Sequence, residues 1–543
     1  MKNHATKKWI SLILALVMVV GMLAGCGSKE EPAAAGADDE KVLTMAIYRD
    51  GEMDGLDAAT YTGPHVIYTM IYEGFVEYGK DGEIIPALAE SWDISEDGKT
   101  YTFHLRQGAK FSDGTDFNAD AVIFNLKRWM NNDRHASLTS YSVESFEAID
   151  EYTVSITFNE ATYSILTELT YPRPVRFLSP SCVKEVEGEV MGDFQTPVGV
   201  GQWMLESYTE NEEFVLVPNP YYYGEKPTID KIVFKVITEG NARLMALQSG
   251  EVDMIGGELL GKISSTAYQT LAADDDYEIV ETTTMCAHYL NFSQENPLFQ
   301  SKEMRLAVNH AINRQAMADH LLTGIGRAAK GMYDTIVPYV TEENSPGYEY
   351  DLEYAKELVA QAGYTDSDGD GFIDDNGKNY ELKLVYTAEE FPEWAQVALY
   401  IQSELAKIGL KVNLSSVDTN TYTEIQMTTL DYDLIMQRTS SDSWVPHNDM
   451  TIMFSQLSVA LGRARVWYDE ELLDKIWVAL RNLDDSTRQA DYDEVFNFIH
   501  EESLLCPMYY PIVTYAYDPD VVTNFEVGAN NYTPINWTTL DVQ

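Results

Sequence analysis

From Ser91 to Leu105 the apolar positions alternate with polar ones. Trp92-Asp93-Ile94 and Tyr101, Phe103 and Leu105 flank a turn at Asp97-Gly98, the period-two signature of a β-hairpin. The period then changes. Val122, Ile123, Leu126, Trp129 and Met130 form a helical stripe, with Asn118 or Asp120 placed to cap its start. The same pattern returns in the second half, where Trp394, Val397, Ala398, Ile401, Leu405 and Ile408 make one helical face. Gly409 can stop that helix, and Leu410, Val412 and Leu414 then alternate as a strand. Helix-and-strand units in both halves predict an α/β protein with helix-covered sheets in two lobes. No internal repeat is present, and the low-complexity sequence is confined to residues 27–41.

Length and composition agree with that picture. At 543 residues the chain exceeds a single small core, and 45% hydrophobic residues with 35 Tyr mark a folded protein. The 87 acidic residues against 37 basic give a formal charge of −50, which repels phosphate backbones and argues against nucleic acid as a partner. Such acidity suits a soluble monomer outside the cytoplasm.

The N-terminus supplies the address. Lys2, Lys7 and Lys8 precede an apolar run from Trp9 to Val20, the layout of a secretory signal, predicted over residues 1–25. The run ends in Leu23-Ala24-Gly25-Cys26, which resembles the bacterial lipoprotein processing motif. That resemblance implies cleavage before Cys26 and a diacylglycerol on its thiol. Each buried acyl methylene contributes about 0.8 kcal/mol, so two chains hold a protein at a membrane. Residues 26–41 read as a flexible tether. The remaining Cys182, Cys286 and Cys506 allow at most one disulfide, with buried thiols the alternative.

Enzyme signatures are absent: there is no GxSxG, GxxxxGK[ST] or HExxH, and an exported hydrolase is only a distant alternative. The nine histidines show no three- or four-residue spacing, and the cysteines have none suited to a metal, so no protein-only metal cage is expected. Asp366 to Asp374 places oxygens at positions one, three, five and nine of an EF-hand-like loop. Gly377, however, stands where a bidentate Glu belongs, so the stretch reads as a solvated turn and calcium is not expected.

Several segments resemble one family, the extracytoplasmic solute-binding proteins of the peptide/nickel ABC importer class (family 5, cluster C). They include Tyr72-Glu73-Gly74-Phe75, Pro86-Ala87-Leu88-Ala89-Glu90-Ser91-Trp92, Lys110-Phe111-Ser112-Asp113-Gly114, Gly199-Val200-Gly201-Gln202-Trp203 and Arg305-Leu306-Ala307-Val308-Asn309-His310-Ala311-Ile312. The resemblance implies a two-lobed periplasmic-binding-protein fold (type II) with an extra subdomain in the first lobe. Lobe I would run over 42–283, lobe II over 284–510, and residues 511–543 would return to lobe I. It also implies a lipid-anchored, extracytoplasmic receptor working with ABC permease and ATPase subunits, without a resident cofactor.

Asp133-Arg134-His135-Ala136, Tyr171-Pro172-Arg173-Pro174-Val175-Arg176-Phe177 and Arg438-Thr439 with Pro446-His447 are similar to the nickel-chelate-binding members. Nickel would then be part of the transported ligand, a small anionic chelate. Arg134, Arg173 and Arg438 would bind its carboxylates, since the planar guanidinium meets a carboxylate in two parallel hydrogen bonds. Arg173 sits between two prolines that stiffen its backbone, whereas Arg176 reads as structural. Tyr61 and Trp444 would stack on the ligand, and His447, or alternatively His65, would reach the metal through the chelate. The pattern departs from that subgroup at Ser137, Ser440 and Trp444, and Phe454 to Arg465 lacks a histidine. A receptor for dipeptides or oligopeptides is therefore the alternative.

Overall fold

One strand, Leu505–Tyr517, runs through both halves of the molecule. The structure, a computed structural model, describes residues 40–60, 63–80, 82–132, 139–172, 176–440, 446–458 and 463–543. Within it Lys41–Gln543 form one unit. The first half of the long strand pairs antiparallel with His288–Phe292 on one side (Leu290 opposite Cys506) and with Gly326–Ala328 on the other. Its second half lies between Glu278–Thr283, with Thr283 opposite Ile512, and Met254–Gly256, with Gly256 opposite Tyr515. The change of partners falls around Tyr510 to Ile512.

Two cores sit on either side of that change. The first lobe's core gathers residues from both chain ends, including Leu43, Met45, Ile71, Trp203, Phe234, Tyr515 and Trp537. Its sheet carries Val42–Ile47 parallel to Lys231–Val236, as expected where both faces are covered. The second lobe's core runs from Tyr289 to Tyr509 and includes Trp394, Ile401, Met436 and Phe454. Here Leu434–Arg438 pairs parallel to Glu381–Tyr386 and antiparallel to His288–Phe292.

A third core belongs to a subdomain within the first lobe, where four antiparallel strands are packed under the helix Ala119–Met130. The hairpin expected from the alternation is there, with Trp92 opposite Phe103 and Ile94 opposite Tyr101. Asn118, not Asp120, caps the helix, accepting from Ala121 N at 3.1 Å. Further on, the helical face from Trp394 to Ile408 is wholly buried, and Gly409, at φ +83°, ends it. Cys182, Cys286 and Cys506 are three free, buried thiols, which answers the disulfide question in favour of thiols. Among the described residues no helix is long and apolar enough to cross a membrane.

Arg128, on the subdomain helix, holds the subdomain to the loop after the first strand. Its guanidinium meets both Asp57 oxygens at 3.0 and 2.6 Å, with both side chains buried, and its Nε donates to Met191 O. Arg176 is likewise buried, and it pairs with Glu77 while donating to Thr170 O at 2.6 Å.

Candidate functional site

Where the lobes meet, a cluster of charged side chains gathers around Arg438 and Lys262. From the second lobe, Arg438 ends the strand Leu434–Arg438, so its side chain emerges where the sheet stops. It donates to Thr439 O at 3.3 Å, lies 3.8 Å from Glu390 and sits 5.7 Å from the Phe391 ring. Phe391 stacks on Trp394 at 4.2 Å, which fixes the wall behind it. Glu393 accepts from the Tyr509 hydroxyl at 3.0 Å.

From the first lobe comes a glycine-rich loop, Gly256-Gly257-Glu258-Leu259-Leu260-Gly261-Lys262. Gly256 runs so close to Thr514 O (2.2 Å from an ideal Cβ) that no side chain fits, and its φ is +109°. Gly261, at φ +144°, makes room for Arg243, which holds the loop by donating to Lys262 O at 3.1 Å. Tyr48 N donates to Leu260 O at 2.8 Å, and Gly257 N to Thr514 O at 2.9 Å. The loop thus presents Glu258 and Lys262 from a fixed base. Burial works against the Lys262 ammonium, but Glu258 and Glu393 more than offset it and its pKa is raised despite the nearby Arg438. Cys286 lies beneath these charges, and burial pushes its thiol up to about 12, so it is a neutral wall rather than a nucleophile.

The two histidines expected to reach a metal are both neutral and buried. His65 begins the helix His65–Ile71 and meets the Tyr532 ring edge-on at 5.4 Å; burial, with Arg49 adding, lowers its pKa to about 3. His447 begins the helix His447–Phe454 and packs against the Tyr163 ring at 6.0 Å, and burial takes its pKa to about 3 as well. Its Nε2 has no hydrogen-bond partner among the described residues. Ser440, two residues after Arg438, donates through its Oγ to Asp449 Oδ1 of the His447 helix at 2.9 Å. Tyr532, hydroxyl-bonded to Tyr171, adjoins His65 and lies within the electrostatic reach of Arg438. Tyr61, Arg134, Arg173, Trp444 and Cys26 lie outside the described residues.

Sequence reasoning missed Glu258, Lys262, Glu390, Phe391 and Glu393. A signal for the first two was present, because an acid and a base four residues apart each directly follow a glycine in a three-glycine stretch. Elsewhere the openings are poor candidates. A void lined by Gly331, Tyr348, Phe496 and Pro507 measures about 20 Å³, room for a water and no solute. A groove of about 620 Å³ between the helices Glu470–Arg481 and Asp485–Glu501 is lined by Glu470, Glu471, Asp474, Asp491 and Glu494 with Lys475, which repels anions. The acidic turn brings ligand atoms of Asp366, Asp368 and Asp374 within 4.8 Å of one another. Its carboxylates are nonetheless engaged by the turn's own backbone, including Gly371 N on Asp366 and Gly377 N, from the twelfth position, on Asp374.

Comparison with known proteins gives the geometry its context. The family described as bacterial extracellular solute-binding proteins, family 5, matches residues 83–459. The chain is 30% identical over 470 residues to the nickel-binding periplasmic protein of Escherichia coli (strain K12), covering 86% of this chain and 87% of that one. It is 24% identical over 533 residues to the oligopeptide-binding protein AppA of Bacillus subtilis (strain 168), covering 93% and 94%. The crystal structure of NikA from Brucella suis in complex with Fe(III)-EDTA superposes with a TM-score of 0.83 at 26% identity, over 93% of this chain and 100% of that one.

Proposed function

The chain belongs to the bacterial extracellular solute-binding proteins of family 5, and on that premise we propose that it is the ligand-capturing receptor of an ABC importer, taking up a small anionic metal chelate of the nickel type. The observation that carries this reading is Arg438. Its guanidinium stands at the lobe seam, and its contacts to Thr439 O, Glu390 and Cys286 leave N–H donors to spare. A chelate brings its own metal donors, so the protein needs only to bind carboxylates, and arginine does that best. Among the described residues, the sole cluster of His, Cys, Asp or Glu with metal-holding spacing is the acidic turn of Asp366, Asp368 and Asp374, which includes none of the seam charges. Arg134 and Arg173 are proposed to share the chelate, with Tyr61 and Trp444 as walls and His447 or His65 as the metal contact. The ligand is captured and handed to permease and ATPase subunits rather than transformed.

A peptide receptor is the second reading, favoured by Glu258, Glu390 and Glu393 beside the cations, where an ammonium would find a carboxylate. Calorimetry with nickel plus free L-histidine against a panel of dipeptides to pentapeptides separates the two, and heat from peptides alone would sink the chelate reading. We further propose lobe I as 42–283 with 511–543, lobe II as 284–510, a monomer, and lipidation at Cys26. A clickable fatty acid should label the protein in cells, and Cys26→Ser should abolish the label.

A further inference from the structure

We propose that Lys262 is a ligand contact from the first lobe, and that it and Arg438 close from opposite sides on a carboxylate of the bound solute. The assignment rests on the receptor reading above and deepens it by naming the group recognised at this end of the seam.

Two observations carry it. The first is unmet hydrogen-bonding capacity. The Lys262 ammonium lies 3.1 Å from Glu258 Oε1 and 4.4 Å above the centroid of the Phe391 ring, while Nζ, though buried, makes no hydrogen bond among the described residues. An ammonium has three donors, and one ion-pair contact with an aromatic face leaves at least one aimed at nothing. Arg438 faces the same place from the other lobe, also with donors to spare. Glu258, Glu390 and Glu393 already balance the two cations, so the call for a ligand carboxylate comes from the unused donors, to which it offers four lone-pair positions.

The second observation is preorganisation. A lysine at the surface swings freely, but this one leaves a loop pinned at Gly256, Gly257, Leu260 and its own carbonyl, with Arg243 filling the space that Gly261 leaves. That construction is more than a simple ion pair with Glu258 requires. Lys262 also reaches Phe391 across the seam, so its position depends on closure, and a carboxylate held by Lys262 and Arg438 together favours the closed form over the open one.

The test uses purified full-length protein in detergent and calorimetry with four probes: nickel with L-histidine, nickel with L-histidinamide, trialanine, and trialanine amide. Each pair differs by a carboxylate replaced by a carboxamide. Wild-type protein should prefer the acid of whichever pair it binds. Lys262→Met should weaken the acid about 30-fold or more and the amide little, so that the preference shrinks. Lys262→Arg should keep most of it. Since Lys262→Met leaves Glu258 buried without its cation, Glu258→Gln with Lys262→Met removes both charges and should lose the preference in a stably folded protein. Unchanged acid affinity in both variants, or equal losses for acid and amide, would overturn the assignment. Trialanine bound alone would remove the chelate reading and leave Lys262 to be judged on the peptide pair. Wild-type protein binding none of the four would overturn the receptor's proposed ligands and this assignment with them.

Discussion

The hydroxyls of Tyr163 and Tyr492 lie 2.8 Å apart, joining the subdomain of the first lobe to a helix of the second. Tyr163 is a peg. Its ring lies 3.9 Å from the Arg488 guanidinium and meets Tyr339 edge-on at 6.0 Å, and its N–H donates to Leu480 O. These contacts bridge the two lobes, so any opening that parts Tyr163 from Tyr492 would break them. Tyr163→Ala should remove about 1–2 kcal/mol from the closed form. Solution scattering should then show a larger radius for the variant, and ligand affinity should fall roughly five- to thirty-fold. An unchanged radius and affinity would show that the peg does not hold closure.

Arg438 and Arg128 should respond oppositely to removal. Arg438→Met should cost ligand affinity about 30-fold or more, with the melting temperature of empty protein nearly unchanged. Arg128→Met leaves Asp57 buried and unpaired, which should destabilise the protein by about 3–5 kcal/mol with little effect on affinity once folded. Thermal melts and calorimetry on the same two variants check both halves.

The elements of the fold and the candidate residues Arg438 and His447 were picked out of the sequence for different reasons. The hairpin at Trp92–Phe103 and the buried helix from Trp394 carry their periods locally, so burial follows from spacing alone. Arg438 stood out through the likeness of Arg438-Thr439 with Pro446-His447 to the nickel-chelate-binding members. Lys262 did not, because its loop has no period; what positions it is the close approach of Thr514, some 250 residues away, to Gly256. Phe391 and Glu393 were hidden at the mouth of a helix whose apolar face drew the reading. Contacts formed by distant chain segments leave no local pattern.

His447 makes stability fall with acid. Buried at a pKa of about 3, it stays neutral in the folded protein, whereas in the unfolded chain it titrates near 6.5. The unfolded state therefore gains a proton first. The contribution is complete above pH 6.5 and is lost as pH falls from there towards 3, reaching about 2 kcal/mol at pH 5. Urea unfolding of wild type and His447→Gln at pH 7.5 and 5.0 should show the variant gaining by about that amount relative to wild type at the lower pH.

Glu73 works in the other direction. Burial, with Glu77 adding, raises its carboxyl to about 7, and the Tyr223 hydroxyl donates to it at 2.7 Å. The folded state holds a proton that the unfolded chain releases near 4.5. Stability from this site is present below pH 4.5 and is lost as pH rises through 7. Glu73→Gln keeps an acceptor for Tyr223 without the charge, so it should stabilise the protein by about 3 kcal/mol at pH 8 and hardly at all at pH 4.5. Equal effects at both pH values would contradict the assignment.

The strand Leu505–Tyr517 also fixes the order in which the molecule can be completed. Each half of it lies between two strands of a different lobe, so neither sheet can close until nearly the whole chain has been made. Contacts this remote in sequence fold slowly, because a long loop must be ordered before they form. Synthesis from the N-terminus thus leaves both lobes unfinished until the last forty or so residues emerge. Until then the chain keeps more of its length without fixed tertiary structure than one whose strands pair with near neighbours.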